Sequence, residues 1–160
     1  MTVDGGEICA LSSAESHKNS MLRSLNSELV HIPGDGNCQY SAIAHFVFNG
    51  QVGLQFEVRR RIHDELVNNY ELYIGFFADN DDGDEVEWPE LLENVLRSGC
   101  YGNNLTLFAA SNAFLFDYAV LCPSHTIDLL NDRFDRKFHF VFDGTGIGFN
   151  GHYSATCSVI

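Results

Sequence analysis

The sequence predicts an α+β domain, on three observations. Apolar residues keep helical spacing along most of the chain as far as Asn112. Beyond that point strand-like runs alternate with turns. At 160 residues, with 45% hydrophobic side chains and 13 phenylalanines, the chain buries one sizeable core and is not disordered throughout. Helices followed by turn-separated strands pack as helices on a small, mainly antiparallel sheet.

Residues 1–15 read as a flexible N-terminal segment and residues 16–160 as the folded domain. From Ser16 to about Leu29, the positions of Met21, Leu22, Leu25 and Leu29 fit a helix. Ile32-Pro33-Gly34-Asp35-Gly36 is a strong turn signal, and Cys38 to Phe48 then reads as a buried helix stopped by Asn49-Gly50. Residues 55–77 carry Phe56, Val58, Ile62, Leu66, Val67, Tyr70, Leu72 and Ile74 at helical intervals. Trp88-Pro89-Glu90 opens a helix to about Arg97, with proline where a helix start tolerates it. After a turn at Gly99–Asn104 comes a short helix over Leu105–Asn112. Strand-like runs follow at Phe116–Leu121, Thr126–Leu130, Phe138–Phe142 and His152–Val159.

Two loops resemble ligand sites and fail the pattern. Asp79–Glu87 is acidic, but a calcium loop needs oxygen ligands at alternate positions, then glycine, then a later glutamate. Counted from Asp79 the third ligand position is Gly83, and counted from Asn80 the glycine position is Glu85. A solvated acidic loop is the better reading, and no metal is expected. Asp143-Gly144-Thr145-Gly146-Ile147-Gly148 lacks the third glycine and the following helix of a dinucleotide-binding loop, so it reads as a flexible connection.

Composition narrows the partners. A net charge of −13 argues against nucleic acid, whose phosphates need a basic surface, and would attract a basic protein instead. No apolar run approaches the roughly 20 residues of a membrane span, so no membrane partner is expected. The N-terminus lacks the basic start and apolar stretch of a signal peptide. Cys9, Cys38, Cys100, Cys122 and Cys157 are odd in number and scattered, without a Cys-x-x-Cys pair. That fits a reducing compartment rather than a disulfide framework or zinc site, and the expected address is cytoplasmic, or the host cytosol for a pathogen protein.

Among the cysteines, Cys38 differs by its setting. A Gly34-Asp35-Gly36-Asn37 turn delivers it to the first turn of an apolar helix, where unpaired N–H groups and the helix dipole favour a thiolate. Amides around Asp35, Gly36, Asn37 and Cys38 are placed to point at a developing oxyanion. The other four cysteines read as small core residues. Of seven histidines, His17, His31, His45, His63, His125 and His139 fit structural or surface roles. His152 follows a glycine-rich loop at the start of a strand, a rigid platform for a base. Cysteine and histidine from opposite ends of one small domain suit a thiol hydrolase.

Asp35-Gly36-Asn37-Cys38-Gln39-Tyr40-Ser41-Ala42-Ile43, Trp88 midway, and Gly151-His152-Tyr153 before a terminal strand together resemble the ovarian-tumour (OTU) family of cysteine deubiquitinases, over roughly Leu29 to Val159. The resemblance implies a papain-like fold and hydrolysis of an amide at the C-terminus of ubiquitin or a ubiquitin-like protein, with polyubiquitin among the partners and no cofactor. It implies Cys38 as nucleophile, His152 as base and then acid, Asp35 as organiser of the loop, and the Asp35–Cys38 amides as oxyanion hole. Many family members carry Asp or Asn two residues after the histidine; here that position is Ser154, a neutral acceptor. Either Ser154 suffices, or Asp35 or Asn150 orients the imidazole, or the base is poorly held. Asp81, Asp82, Asp84 and Glu85 are candidates to meet the basic tail of ubiquitin, with charge mainly steering the encounter. Trp88 is a candidate to pack beside the site, although a core or helix-start role suits it better. Two other classes fit the same residues: an OTU-like module that binds ubiquitin without processing it, and a thiol hydrolase for another acyl substrate.

Overall fold

A computed structural model describes residues 17–79, 87–123, 125–128, 132–143 and 152–159. Residues 17–24 are helical (α1), followed by β1 (Ser27–Val30), α2 (Cys38–Val47), a 3₁₀ turn (Val52–Leu54) and α3 (Gln55–Asn68). Next come α4 (Tyr70–Asp79), α5 (Trp88–Leu96) and α6 (Asn104–Phe114). The chain ends in β2 (Asp117–Leu121), β3 (Thr126–Asp128), β4 (Lys137–Asp143) and β5 (His152–Ser158). The strands make one five-stranded sheet in the order β1-β5-β4-β2-β3, antiparallel except for β2 with β4. The expected α+β class therefore holds, and the sheet is mainly antiparallel.

The sheet is covered on both faces. Alternation along β4 sends Phe138, Phe140 and Phe142 to one side and Val141 to the other. Phe46 of α2 stacks on Phe138 at 4.5 Å and meets Phe140 edge-on at 5.0 Å. On the opposite face Val141 and Leu121 pack with Leu22 of α1. Burial on both faces explains the apolar run of β4. α3 packs against α2, α5 and α6, and its Val58, Ile62 and Leu66 are fully buried.

Two expectations from periodicity need correction. The first helix does not reach Leu29: Asn26 takes a positive φ of 52°, and Ser27–Val30 pairs with β5 from Ser27↔Ser158 to Val30↔Ala155. A left-handed residue ends a helix, and the free backbone then joins the sheet. Likewise residues 55–77 are not one helix, because the chain breaks at Asn69 between α3 and α4. Tyr73 bridges the break by donating to Glu65 Oε2 at 2.8 Å. The cysteine helix ends as expected, with Asn49 and Gly50 both at positive φ. The acidic loop beyond Asp79, the glycine-rich loop before His152 and the N-terminal segment lie outside the described residues.

Burial pushes the Tyr40, Tyr118 and Tyr153 phenols each up to about 12. Their unfolded value is about 10, so above that pH the folded chain retains protons that the unfolded chain releases. Their contribution to stability is intact below pH about 10 and is lost as pH rises through about 12. Urea midpoints are expected to fall over that interval, and substituting the three tyrosines by phenylalanine should flatten the fall.

Candidate active site

Cys38 is the first residue of α2 and is 2% exposed. Its position depends on an unusual use of the residue before it. Asparagine is a preferred N-cap because its side chain accepts from the first helical amides. Asn37 occupies the N-cap position but makes no such bond. Its Oδ1 instead accepts from Arg59 Nη2 at 2.6 Å and from the Gly99 N–H at 2.8 Å, while its Nδ2 donates to Ser98 Oγ at 3.2 Å. The start of α2 thus has no side-chain cap, and first-turn amides lack carbonyl partners within their own helix. Those donors and the helix dipole favour negative charge beside the sulfur.

Arg59 is the far end of this arrangement. It is 1% exposed on the buried stripe of α3, with its guanidinium 3.8 Å above the Tyr40 ring. Nε donates to Gln55 Oε1, Nη1 to the carbonyls of Asn94 and Val95, and Nη2 to Asn37 and the Cys100 carbonyl. The charge is thereby met by oxygens from α5, from the following turn and from the N-cap of the cysteine helix. Asp35 acts on it electrostatically from farther away.

The turn before the cysteine is built to fit this clamp. Gly36 has φ +83°, and a β-carbon there would lie 2.3 Å from the Gly99 carbonyl oxygen. Asp35 is exposed, and its Oδ1 accepts from the Asn37 N–H at 3.0 Å. That bond organises the loop. It also commits the Asn37 amide, one of the four expected to face an oxyanion, to the Asp35 carboxylate.

A second set of bonds holds the other side of Cys38. Gln39 Nε2 donates to the Asn103 carbonyl, and its Oε1 accepts from Thr106 Oγ1 at 2.7 Å. Asn103 and Thr106 form the capping box of α6, so the cysteine helix is bolted to a helix start. Gln39 also hydrogen-bonds Tyr153, lowering a phenol pKa that burial raises. The Tyr153 N–H in turn donates to Cys38 Sγ at 3.4 Å.

That contact brings β5 to the Cys38 sulfur, one residue along from His152. The imidazole rests on the glycine turn: a β-carbon on Gly34 would sit 3.5 Å from Nδ1. His31, just past β1, lies with its ring centroid 5.8 Å from that of His152. His152 Nε2 is buried and has no hydrogen-bond partner among the described residues. The two ends of the chain thus meet where the Tyr153 amide reaches the Cys38 sulfur, with the edge of the His152 ring that carries Nδ1 against Gly34.

The remaining expected residues separate. Ser154 is 2% exposed on β5, opposite Val141 and, by strand alternation, on the same side as His152. Trp88 meets Tyr70 edge-on at 5.3 Å. It opens α5, about 10 Å of helix away from the Asn94–Val95 carbonyls that hold Arg59. It is partly buried against the main core at the start of α5. Asn150, Asp81, Asp82, Asp84 and Glu85 lie outside the described residues. Arg59 was missing from the sequence reading, and its signal was there: a charge three residues before Ile62 and seven before Leu66, on the apolar stripe.

Comparison with known proteins bears on the family and the fold. The family model described as OTU-like cysteine protease matches residues 33–153. The OVARIAN TUMOR DOMAIN-containing deubiquitinating enzyme 10 of Arabidopsis thaliana is 32% identical over 92 residues, covering 58% of this chain and 24% of its own length. The chain spans less than a quarter of the curated relatives it matches. Among solved structures, the OTUD1 OTU domain superposes with a TM-score of 0.71 at 19% identity, covering 93% of this chain and 98% of its own. The Hazara virus OTU bound to ubiquitin gives 0.62 at 16% identity, covering 84% and 82%.

Replacing Gly36 by alanine tests the clamp, because Cβ would collide with backbone rather than with a movable side chain, at a φ that L-residues disfavour. The Gly36→Ala chain is expected to fold with reduced stability and to react at Cys38 with iodoacetamide about tenfold more slowly at neutral pH, because the sulfur loses its fixed place at the helix start. Peptide mapping by mass spectrometry reads the rate at that cysteine alone. A buried cysteine at an uncapped helix start touches the last strand one residue from a histidine, and with residues 33–153 matched by the family model this chain belongs to the OTU-like cysteine protease family.

Proposed function

We propose that the chain is a thiol-dependent deubiquitinase, cleaving peptide or isopeptide bonds at the C-terminus of ubiquitin or of a ubiquitin-like protein. One observation carries the reading: a buried cysteine at an uncapped helix N-terminus, with the amide of Tyr153, the residue after His152, on its sulfur and the His152 imidazole against Gly34 of the preceding turn. Family membership and fold neighbours that include ubiquitin-bound OTU structures support it.

In this reading the Cys38 thiolate attacks the carbonyl carbon of the scissile amide. The electron pair moves to oxygen, and donors at the start of α2 meet the oxyanion. Collapse of the tetrahedral species expels the amine, protonated by His152, and leaves a thioester on Cys38. His152 then takes a proton from water, which attacks the thioester and releases the carboxylate. Cys38 is the nucleophile and His152 the acid and base. Asp35 and Asn37 shape the turn, and Arg59 positions it. No step requires a metal. The acidic side chains at Asp81, Asp82, Asp84 and Glu85 would draw in the basic substrate tail, an effect on encounter more than on chemistry.

Incubation with ubiquitin bearing an electrophilic C-terminal group tests the proposal. A covalent adduct is expected with the native chain, none with Cys38→Ala, and a much slower one with His152→Ala. Binding of unmodified ubiquitin without any adduct would replace the proposal with a non-processing ubiquitin-binding module. Absence of both would overturn ubiquitin as the substrate.

A further inference from the structure

We infer that Asp143 is the positioning residue for His152, supplying from the neighbouring strand the carboxylate that Ser154 does not. The inference rests on His152 acting as the base of the proposed reaction, and starts from its Nε2. That atom is buried and unpartnered among the described residues, and a buried polar atom without a partner is destabilising. Nδ1 lies on the edge of the ring against Gly34 and the cysteine turn. If Nδ1 serves the sulfur, Nε2 is the atom left for an orienting group. On β5 itself the next residue on the same side is Ser154, which is neutral.

The register supplies a carboxylate. β4 and β5 are antiparallel, and Asp143 is the direct partner of His152. Side chains of such a pair project from the same face, with β-carbons about 4.5–5.5 Å apart. That face is the one covered by α1, and Lys18 of α1 reaches across it to Asp143 Oδ1 at 3.4 Å. A carboxylate has a second oxygen and several acceptor sites. Asp143 is 40% exposed and ends its strand, so its side chain has room to turn. Accepting the Nε2 proton, it would fix the tautomer with the lone pair on Nδ1, on the edge of the ring against Gly34, and would then stabilise the imidazolium as the proton arrives.

The other groups around the ring suit the role less well. His31 packs against the imidazole at 5.8 Å between centroids but brings no negative charge at neutral pH. Asp35 is committed to the Asn37 amide. Cys38 lies on the reacting side, and Tyr153 turns to the opposite face of β5, with its ring 4.8 Å from that of Phe142. Lys18 is cationic and holds the carboxylate rather than the imidazole.

The test is the rate of Cys38 alkylation by iodoacetamide at neutral pH, which needs no ubiquitin. Asp143→Asn is expected to lower it about tenfold, because the orienting carboxylate becomes a neutral amide. Adding Ser154→Asp to that chain is expected to restore the rate, because the acid returns to the same face. In a His152→Ala background Asp143→Asn is expected to have no further effect, the mark of two residues acting as a unit. Lys18→Met is expected to leave the rate unchanged. An undiminished rate in Asp143→Asn would overturn the inference, and so would an equal loss in Lys18→Met, which would assign the effect to the ion pair. Failure of the ubiquitin adduct alongside the expected alkylation pattern would count against the substrate and leave Asp143 in place.

Discussion

The guanidinium of Arg59 is the tie on which the geometry around the sulfur depends. It is buried, and its charge is met by carbonyls, two side-chain amides and one aromatic face. Hydrogen bonds to a charged group contribute about 1.5–3 kcal/mol each, and a charge left without them inside a protein is far costlier. The guanidinium therefore fixes the groups that solvate it. One of them is Asn37, the residue that would otherwise cap the helix carrying Cys38. Local helix stability is given up there in favour of a site for negative charge.

The rest of the fold delivers partners to that helix start. α3 brings Arg59 because its apolar stripe docks on α2, α5 and α6. α6 brings its capping box to Gln39, one residue beyond the nucleophile. β5 reaches the site as the strand between β1 and β4. Its pairing on both edges fixes the height of Tyr153, and so of the amide on the sulfur and of His152 next to it. The aromatic layer of Phe46, Phe116, Phe138 and Phe140 locks α2 to the sheet. Cys38 and Tyr153, 115 residues apart in sequence, are thus joined by one contact between a helix end and a strand.

Much of this was legible in the sequence, and the failures have physical causes. Gly34-Asp35-Gly36 followed by an apolar period announced the turn and the helix, since both signals are local. β1 escaped because Leu25 and Leu29 fit a helix as well as Leu29 fits a strand, and only the β5 edge decides. The break at Asn69 escaped because α3 and α4 keep a common apolar period across it. The parallel pairing of β2 with β4 joins segments separated by β3, and no local pattern encodes such a register. Arg59 was visible only as a charge on an apolar stripe, whose meaning depends on the carbonyls that α5 presents to it. Ser154 marked a missing carboxylate after the histidine, and the strand partner across from His152 became apparent only with the register.

The most direct measurement is the alkylation rate of Cys38 in an Asn37→Ala chain, followed by peptide mapping well below its unfolding temperature. This change removes the acceptor shared by Arg59 and Gly99 while leaving Cys38, His152 and the sheet in place. If Arg59 sets the site through Asn37, the folded variant reacts at neutral pH about tenfold more slowly, because helix-start placement is what favours the thiolate. A folded Asn37→Ala chain reacting at the native rate would show that the clamp stabilises the domain without positioning its sulfur.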